Sequence, residues 1–471
     1  MFRYTFRSPL RLGVQLREES RSCEDAERSV TTVHALHRVA RASGRADADE
    51  RTSTRCARPL GTKKRERMKR SIVLVGQLCF LLAGAGCTDD ERSASPGRGP
   101  MDAGASSDGH AAADSSVAEP DARADGGAAP VTPRTRARMF LSGHSLTDDP
   151  LADFVADIAK SRGADFGYNE QIVIGSPIRV RTKGGSTQDD GWPGYSTGKN
   201  RGGASGMNVI AELRSPATLG AGEKYDTLVI TERHDLLGTI EWEDTVGFTR
   251  HFHDRLIEGN ASGQTLLYHS WLDVDKDAPQ TWIDHEKNAL HAWECVASKV
   301  NHTLDADGRS DRVSTLPVGA ALVDLVERML ADQVPGVTGT SRAKLDLVFS
   351  DDVHMTPLGT YFVALVTYAG IFRSSPEGAL IPDGLPTTTA TEMQRVAWQF
   401  VNGYLSKPGG GTHTMEECRA QISQQTCASF HTLRGEPQNI AGCRSTFSNA
   451  NAENNPFRWP DPQLKPWPAP P

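Results

Sequence analysis

From Arg136 onward the chain alternates short apolar runs with longer stretches in which apolar side chains recur at helical spacing. The first pattern predicts strands and the second amphipathic helices. Met139-Phe140-Leu141 begins a first strand, and Leu151, Phe154, Val155 and Ile158 predict a helix over 148–162. Gln171 to Ile174 is a short second strand, and Met207 to Leu213 a helix. Tyr225 to Ile230 is nearly continuous in apolar residues, as a strand covered on both faces must be. Beyond it the pattern gives a helix over 246–257, a strand over 265–268, a long helix over 282–300, a strand over 313–317 and a helix over 320–330. Leu345 to Phe349 reads as an apolar strand leading into a polar loop, and helices over 358–372 and 389–405 close the pattern. Such alternation predicts an α/β domain over 136–406 with a central parallel sheet and helices on both sides. The Gly-rich passage from Lys183 to Gly206 is too polar for core and too long for a plain connector, so it is expected to be a substrate loop.

Outside this domain the composition changes. Residues 1–67 are arginine-rich without apolar periodicity, and are expected to be a disordered extension or a segment upstream of the true start at Met68. Met68-Lys69-Arg70 then precedes an apolar run that ends in Gly84-Ala85-Gly86-Cys87. A charged start, an apolar middle and small residues before a cysteine form an export signal, too short for a comfortable membrane span. The segment 68–87 resembles a bacterial lipoprotein signal, which implies lipidation of Cys87 and export to the cell envelope; simple secretion is the other outcome. Residues 88–135 are dominated by Ala, Asp, Gly, Ser and Pro, and are expected to be a disordered tether. Past Pro408-Gly409-Gly410-Gly411, the segment 407–471 is expected to be a small, irregular, cysteine-containing appendage.

Charge and cysteines agree with export. Residues 1–67 carry 16 basic and 9 acidic side chains, a balance of +7; against −7 for the whole chain, that leaves −14 for residues 68–471. An acidic product argues against nucleic-acid binding. Past Cys87 four cysteines remain: Cys295, Cys418, Cys427 and Cys443. They fit two disulfides in an oxidising compartment, with three pairings open. No Cys-x-x-Cys spacing points to zinc, and His251 and His253 are placed so that they point apart on a helix. No metal and no organic cofactor is therefore expected.

The chemistry lies at two element ends. The first strand ends in Ser142-Gly143-His144-Ser145-Leu146-Thr147, and the run Leu347-Val348-Phe349 ends in Ser350-Asp351-Asp352-Val353-His354. A serine hydroxyl needs a base to take its proton, and the base needs a carboxylate to orient it. Asp351 and His354, separated by two residues on a turn, suit that pairing, with Asp352 the rival carboxylate; Thr356 and Pro357 fit a helix N-cap and first turn. Gly143-His144-Ser145-Leu146 resembles the opening Gly-Asp-Ser-Leu block of SGNH/GDSL hydrolases, and Asp351-x-x-His354 their closing block. His144 stands where that family has aspartate. The resemblance covers roughly 136–406 and implies a three-layer, flavodoxin-like α/β/α fold with Ser145 as nucleophile, His354 as base and Asp351 as its partner. It also implies an oxyanion hole from the N–H groups of Ser145 and Gly175 and a side chain of the third block. That block, Glu232-Arg233-His234-Asp235, lacks the family's asparagine, which leaves the His234 ring or Arg233 as the donor. Trp192 and Trp271, with Tyr195 and Trp282, fall in loops or at element starts, where aromatics either pack at a rim or stack on a sugar ring; Trp192 and Trp271 are the substrate-binding candidates. The expectation is an exported serine esterase acting on acyl esters of carbohydrate or glycan, with a lipase or thioesterase, or a non-catalytic glycan-binding lipoprotein, as alternatives.

Overall fold

The computed structural model describes residues 132–184, 192–407 and 409–459. The extension, the export signal with Cys87 and nearly all of the tether lie outside the described residues, as does the end of the chain from residue 460. Among the described residues no helix is long and apolar enough to cross a membrane.

Side-chain alternation organises the sheet. In β1 (Arg136–Gly143) Met139 and Leu141 pack into one apolar core and Phe140 into a second on the opposite face. β1 pairs in parallel with β2 (Asp165–Ile172) on one side and β5 (Thr227–Thr231) on the other. β6 (Gln264–Tyr268) and β7 (Val313–Leu316) continue beyond β5, again in parallel. The short strands β3 (Gly198–Asn200) and β4 (Ser205–Met207) add an antiparallel edge next to β2. The full order is β4-β3-β2-β1-β5-β6-β7. The five parallel strands thus follow the doubly wound order 2-1-3-4-5, consistent with a flavodoxin-like fold, in which the connection changes direction beside β1.

The first core holds α1 (Leu151–Ser161), α7 (Val318–Leu330), α9 (Pro357–Phe372) and α10 (Thr387–Leu405). The second holds α3 (Val209–Arg214), α4 (Leu236–Trp242), α5 (Thr245–Gly259) and much of α6 (Gln280–Ala306). Two short helices, α2 (Ile178–Lys183) and α8 (Ser341–Leu345), complete the domain.

Three expectations are corrected. The second strand starts at Asp165, not Gln171, because its buried positions Asn169, Glu170 and Gln171 are polar and hide the apolar signal. The passage expected as one substrate loop instead folds its ends: α2 ends in it, and β3 and β4 form the sheet edge; residues 185–191 within it lie outside the described residues. Leu345 to Phe349 is no strand. Leu345 ends α8, Val348 and Phe349 fill the core from a turn while Leu347 is exposed, and Phe349 makes only an isolated bridge to Met355.

The C-terminal appendage is helical rather than irregular. α11 (Met415–Gln421) runs through a π-helical stretch into α12 (Cys427–Leu433), and α13 (Ile440–Ser448) follows. Met415, Cys418, Ile422, Phe430 and Phe447 belong to the second core with α6. Of the three possible pairings, the disulfides are Cys295–Cys418 and Cys427–Cys443. The first spans 123 residues and the second 16. Chain-entropy arguments give the longer closure the larger stabilisation, about 4–5 against about 3 kcal/mol. Replacing Cys295 and Cys418 by alanine should therefore lower the urea midpoint more than replacing Cys427 and Cys443. Equal midpoints in oxidising buffer would contradict this ranking.

Candidate active site

Gly143 ends β1 because nothing larger fits: a Cβ there would lie 1.8 Å from Thr147 Oγ1. The chain then turns tightly over Ser145–Thr147, with Thr147 N–H donating to His144 O at 2.9 Å. His144 is buried, and its Nε2 lies 3.0 Å from the carbonyl oxygen of Glu232. A carbonyl only accepts, so Nε2 carries the proton and Nδ1 is free to accept from Leu146 N–H at 3.4 Å. Burial, with the Arg181 charge second, pushes His144 down to about 3, so the ring is neutral. Both of its nitrogens are engaged. His144 is a latch between the loops after β1 and β5, and has no nitrogen left to serve Ser145 as a base.

Ser145 is half-buried at the start of this turn. Its hydroxyl and its N–H make no hydrogen bond to any described residue. The neighbouring loop is set by register: Gly143 faces Ile172, and Val173 N–H donates to Gly143 O at 3.0 Å. Two residues on, Gly175 is exposed at φ +65°, a left-handed conformation that glycine adopts freely. Its N–H is likewise without a partner among the described residues. Ile174 beside it is 65% exposed, a large apolar side chain at the rim.

The second half of the site is pinned from several directions. Thr356 caps α9, accepting from Gly359 N–H at 3.1 Å and donating to Leu347 O at 2.6 Å. Ser350 N–H donates to His354 O at 2.8 Å. Asp351 Oδ1 accepts from the N–H groups of Val353 and His354 at 2.8 and 2.6 Å, and Oδ2 takes His354 Nδ1 at 2.8 Å. Asp351 rather than Asp352 is thus the carboxylate on the ring, which leaves Nε2 for other work. The His354 charge adds slightly to what disfavours protonation of His144. No hydrogen bond joins Ser145 to His354.

Burial pushes the Asp351 carboxyl up, but the two N–H groups and the His354 ring together pull it down to about 2. The folded loop therefore favours the ionised acid. Its support is complete above about pH 4 and is lost as pH falls through about 2. The His354 amide resonance should accordingly move with an inflection near 2, and stay flat there in Asp351→Asn. An inflection at the ordinary carboxylate value would contradict the geometry.

His234 is half-buried, with its ring 6.1 Å from that of His144. Burial lowers its affinity for a proton, so the ring is held towards the neutral form, and it makes no hydrogen bond to a described residue. Arg233 is turned away, bonded to Asp235 at 2.6 and 3.0 Å. Between the two alternatives at the third block, Arg233 is committed to Asp235 and His234 is not bonded to a described residue.

Of the two tryptophans, Trp271 is corrected and Trp192 stays half-buried. Trp271 is wholly buried, and its Nε1 donates to Val353 O at 2.9 Å. It holds the Asp351–His354 loop from below and offers no face to a ligand. Trp192 stacks flat on His251 at 4.6 Å, with Lys183 4.4 Å from its ring centre. Tyr195 and Trp282 are buried.

Sequence patterns missed what joins the loops. Arg181 is fully buried on α2, with Nε donating to Ser142 Oγ at 3.0 Å and Nη1 to Ser176 O at 2.8 Å; Nη2 donates to Thr231 O. These are the ends of β1 and β5 and the loop that carries Gly175. Glu232, also fully buried, accepts from Ile178 N–H, Arg233 N–H and the Thr245 hydroxyl at 3.0, 2.7 and 2.8 Å. Burial pushes its carboxyl up to about 6, against the pull of Arg181 and these donors. Glu232 stands two residues past the predicted strand over 225–230 and Arg181 in a stretch with no predicted element, where a charged residue reads equally well as surface.

No protein-family model matches the chain, and no curated protein matches it by sequence. A solved structure of a DUF4886 family protein from Bacteroides uniformis is similar over 58% of this chain and 96% of its own. The identity is 12% and the TM-score 0.41.

Proposed function

We propose that the chain is a serine ester hydrolase of SGNH type. The observation that carries this reading is the Asp351–His354 pair, with its free Nε2, alongside the N–H groups of Ser145 and Gly175, which are without partners among the described residues. His354 Nε2 takes the proton as Ser145 Oγ attacks an ester carbonyl. The negative oxygen that forms is met by the N–H groups of Ser145 and Gly175, with the His234 ring in the third donor's place. His354 then returns the proton to the departing alcohol, leaving an acyl-enzyme. Water, deprotonated by His354, releases the acid. Asp351 keeps the ring in the required tautomer throughout.

An acyl ester of carbohydrate or glycan remains the proposed substrate, now on the resemblance alone. The stacking tryptophans no longer support it, and exposed Ile174 suits a short acyl chain or an apolar alcohol equally well. Export and lipidation at Cys87 belong to the same proposal and rest on the 68–87 segment; the two disulfides fit an oxidising compartment.

A second reading, a glycan-binding protein without turnover, is favoured by the absent Ser145–His354 hydrogen bond. Short p-nitrophenyl esters separate the two. Hydrolysis by the wild type that disappears in His354→Ala supports the enzyme. Retention on glycan columns with no hydrolysis supports the binder.

A further inference from the structure

A second cluster lies apart from these loops, where the C-terminal segment returns to α6. His291 and Glu294 are three residues apart on that helix and so share a face. His413 arrives from the glycine-rich connection, with its N–H donating to Ser298 Oγ at 3.0 Å and its Nε2 2.8 Å from Glu294 Oε2. The two imidazole rings lie 3.9 Å apart. Tyr404 on α10 donates to the other Glu294 oxygen at 2.9 Å. Three donor atoms, one from each of His291, Glu294 and His413, fall within 4.8 Å of one another. One further observation points to a ligand, and a second shows how closely the connection packs on the cluster. His291 Nε2 is buried and makes no hydrogen bond, an arrangement that calls for an ion or a water. Gly411, at φ +74°, brings the backbone so close that a Cβ would lie 2.7 Å from Glu294 Oε1.

We propose that His291, Glu294 and His413 bind one divalent transition-metal ion, best matched by zinc, which pins the C-terminal helices to α6 beside the Cys295–Cys418 disulfide. Two imidazoles and a carboxylate are a zinc donor set, and hard cations such as magnesium prefer oxygen alone. Tetrahedral bonds of about 2.0–2.1 Å put ligand atoms about 3.3 Å apart, so small side-chain rotations close the set. Tyr404 then serves as the outer hydrogen bond that orients the carboxylate. Spacing along the chain hides this site, because His413 is 119 residues from Glu294. The proposal departs from the sequence expectation that no metal is required.

The test uses the full chain, stripped with chelator and titrated with zinc chloride, then with cobalt chloride. The proposal expects saturable one-to-one uptake, a rise in Tm with zinc, and the intense visible bands of tetrahedral cobalt. His291→Ala and His413→Ala should weaken uptake more than tenfold and abolish the Tm response. Tyr404→Phe keeps all three ligands and the fold, and should weaken uptake about 10–100-fold. His431→Ala, whose ring pairs with Glu436, should change nothing. No one-to-one uptake by the wild type, or uptake undiminished in both His291→Ala and Tyr404→Phe, overturns the proposal.

Discussion

Replacing Ser145 by alanine should reduce the hydrolysis of p-nitrophenyl esters by about 10⁴-fold or more while leaving the fold intact. The size follows from the role. Without the hydroxyl no acyl-enzyme forms, and what survives is the catalysis that binding and the oxyanion donors give to water. Stability should hardly change, because Ser145 Oγ is bonded to no described residue and the turn is held by His144 and Thr147. The informative measurement is therefore kcat together with Tm in the same variant. A loss of activity with an unchanged Tm assigns the effect to chemistry. Retained activity would remove Ser145 from the mechanism.

The second large effect is on stability. Arg181→Ala should cost about 3–5 kcal/mol, the range for breaking a buried charge network by removing one partner. Ser142, Ser176 and Thr231 would lose a common donor, and the buried Glu232 would lose the nearby positive charge. Arg181→Lys should recover little, because a point charge cannot reach three loops as the planar fork does. Adding Glu232→Gln to Arg181→Met should recover part of the loss. The glutamine keeps one acceptor for the Ile178 and Arg233 N–H groups and removes the stranded charge. Urea unfolding of the four proteins checks the series, and a loss below about 1 kcal/mol for Arg181→Ala would show that the network is not what ties the loops.

This network marks where the sequence stopped being legible. β1 and β5 were readable because they are apolar and covered on both faces, and the long helices because their apolar positions recur. β2 was half hidden, since Asn169, Glu170 and Gln171 are buried for their hydrogen bonds; Gln171 alone ties Arg181 O, Gly194 O and Thr197 together. Leu345 to Phe349 misled because a five-residue, mostly apolar run is too short to show a period that separates strand from turn. The appendage helices were masked by the polarity around Met415, Cys418 and Ile422.

The candidate site divides in the same way. Ser145, Asp351 and His354 stood out because they lie at element ends within recognisable spacings. Trp271 was visible as a residue but not as a role. Only packing shows that its indole supports Val353, next to the base, rather than facing a ligand. His144 was visible as a departure from the family pattern, and only its two hydrogen bonds make it a neutral latch. Pairwise contacts across loops are what one chain read in order does not contain.

Labelling the full chain with a fluorophosphonate and mapping the modified residue tests the central claim most directly. The account predicts one adduct, on Ser145, whose formation slows severely in His354→Ala. No adduct on the folded protein, or an adduct on a different serine, would contradict it.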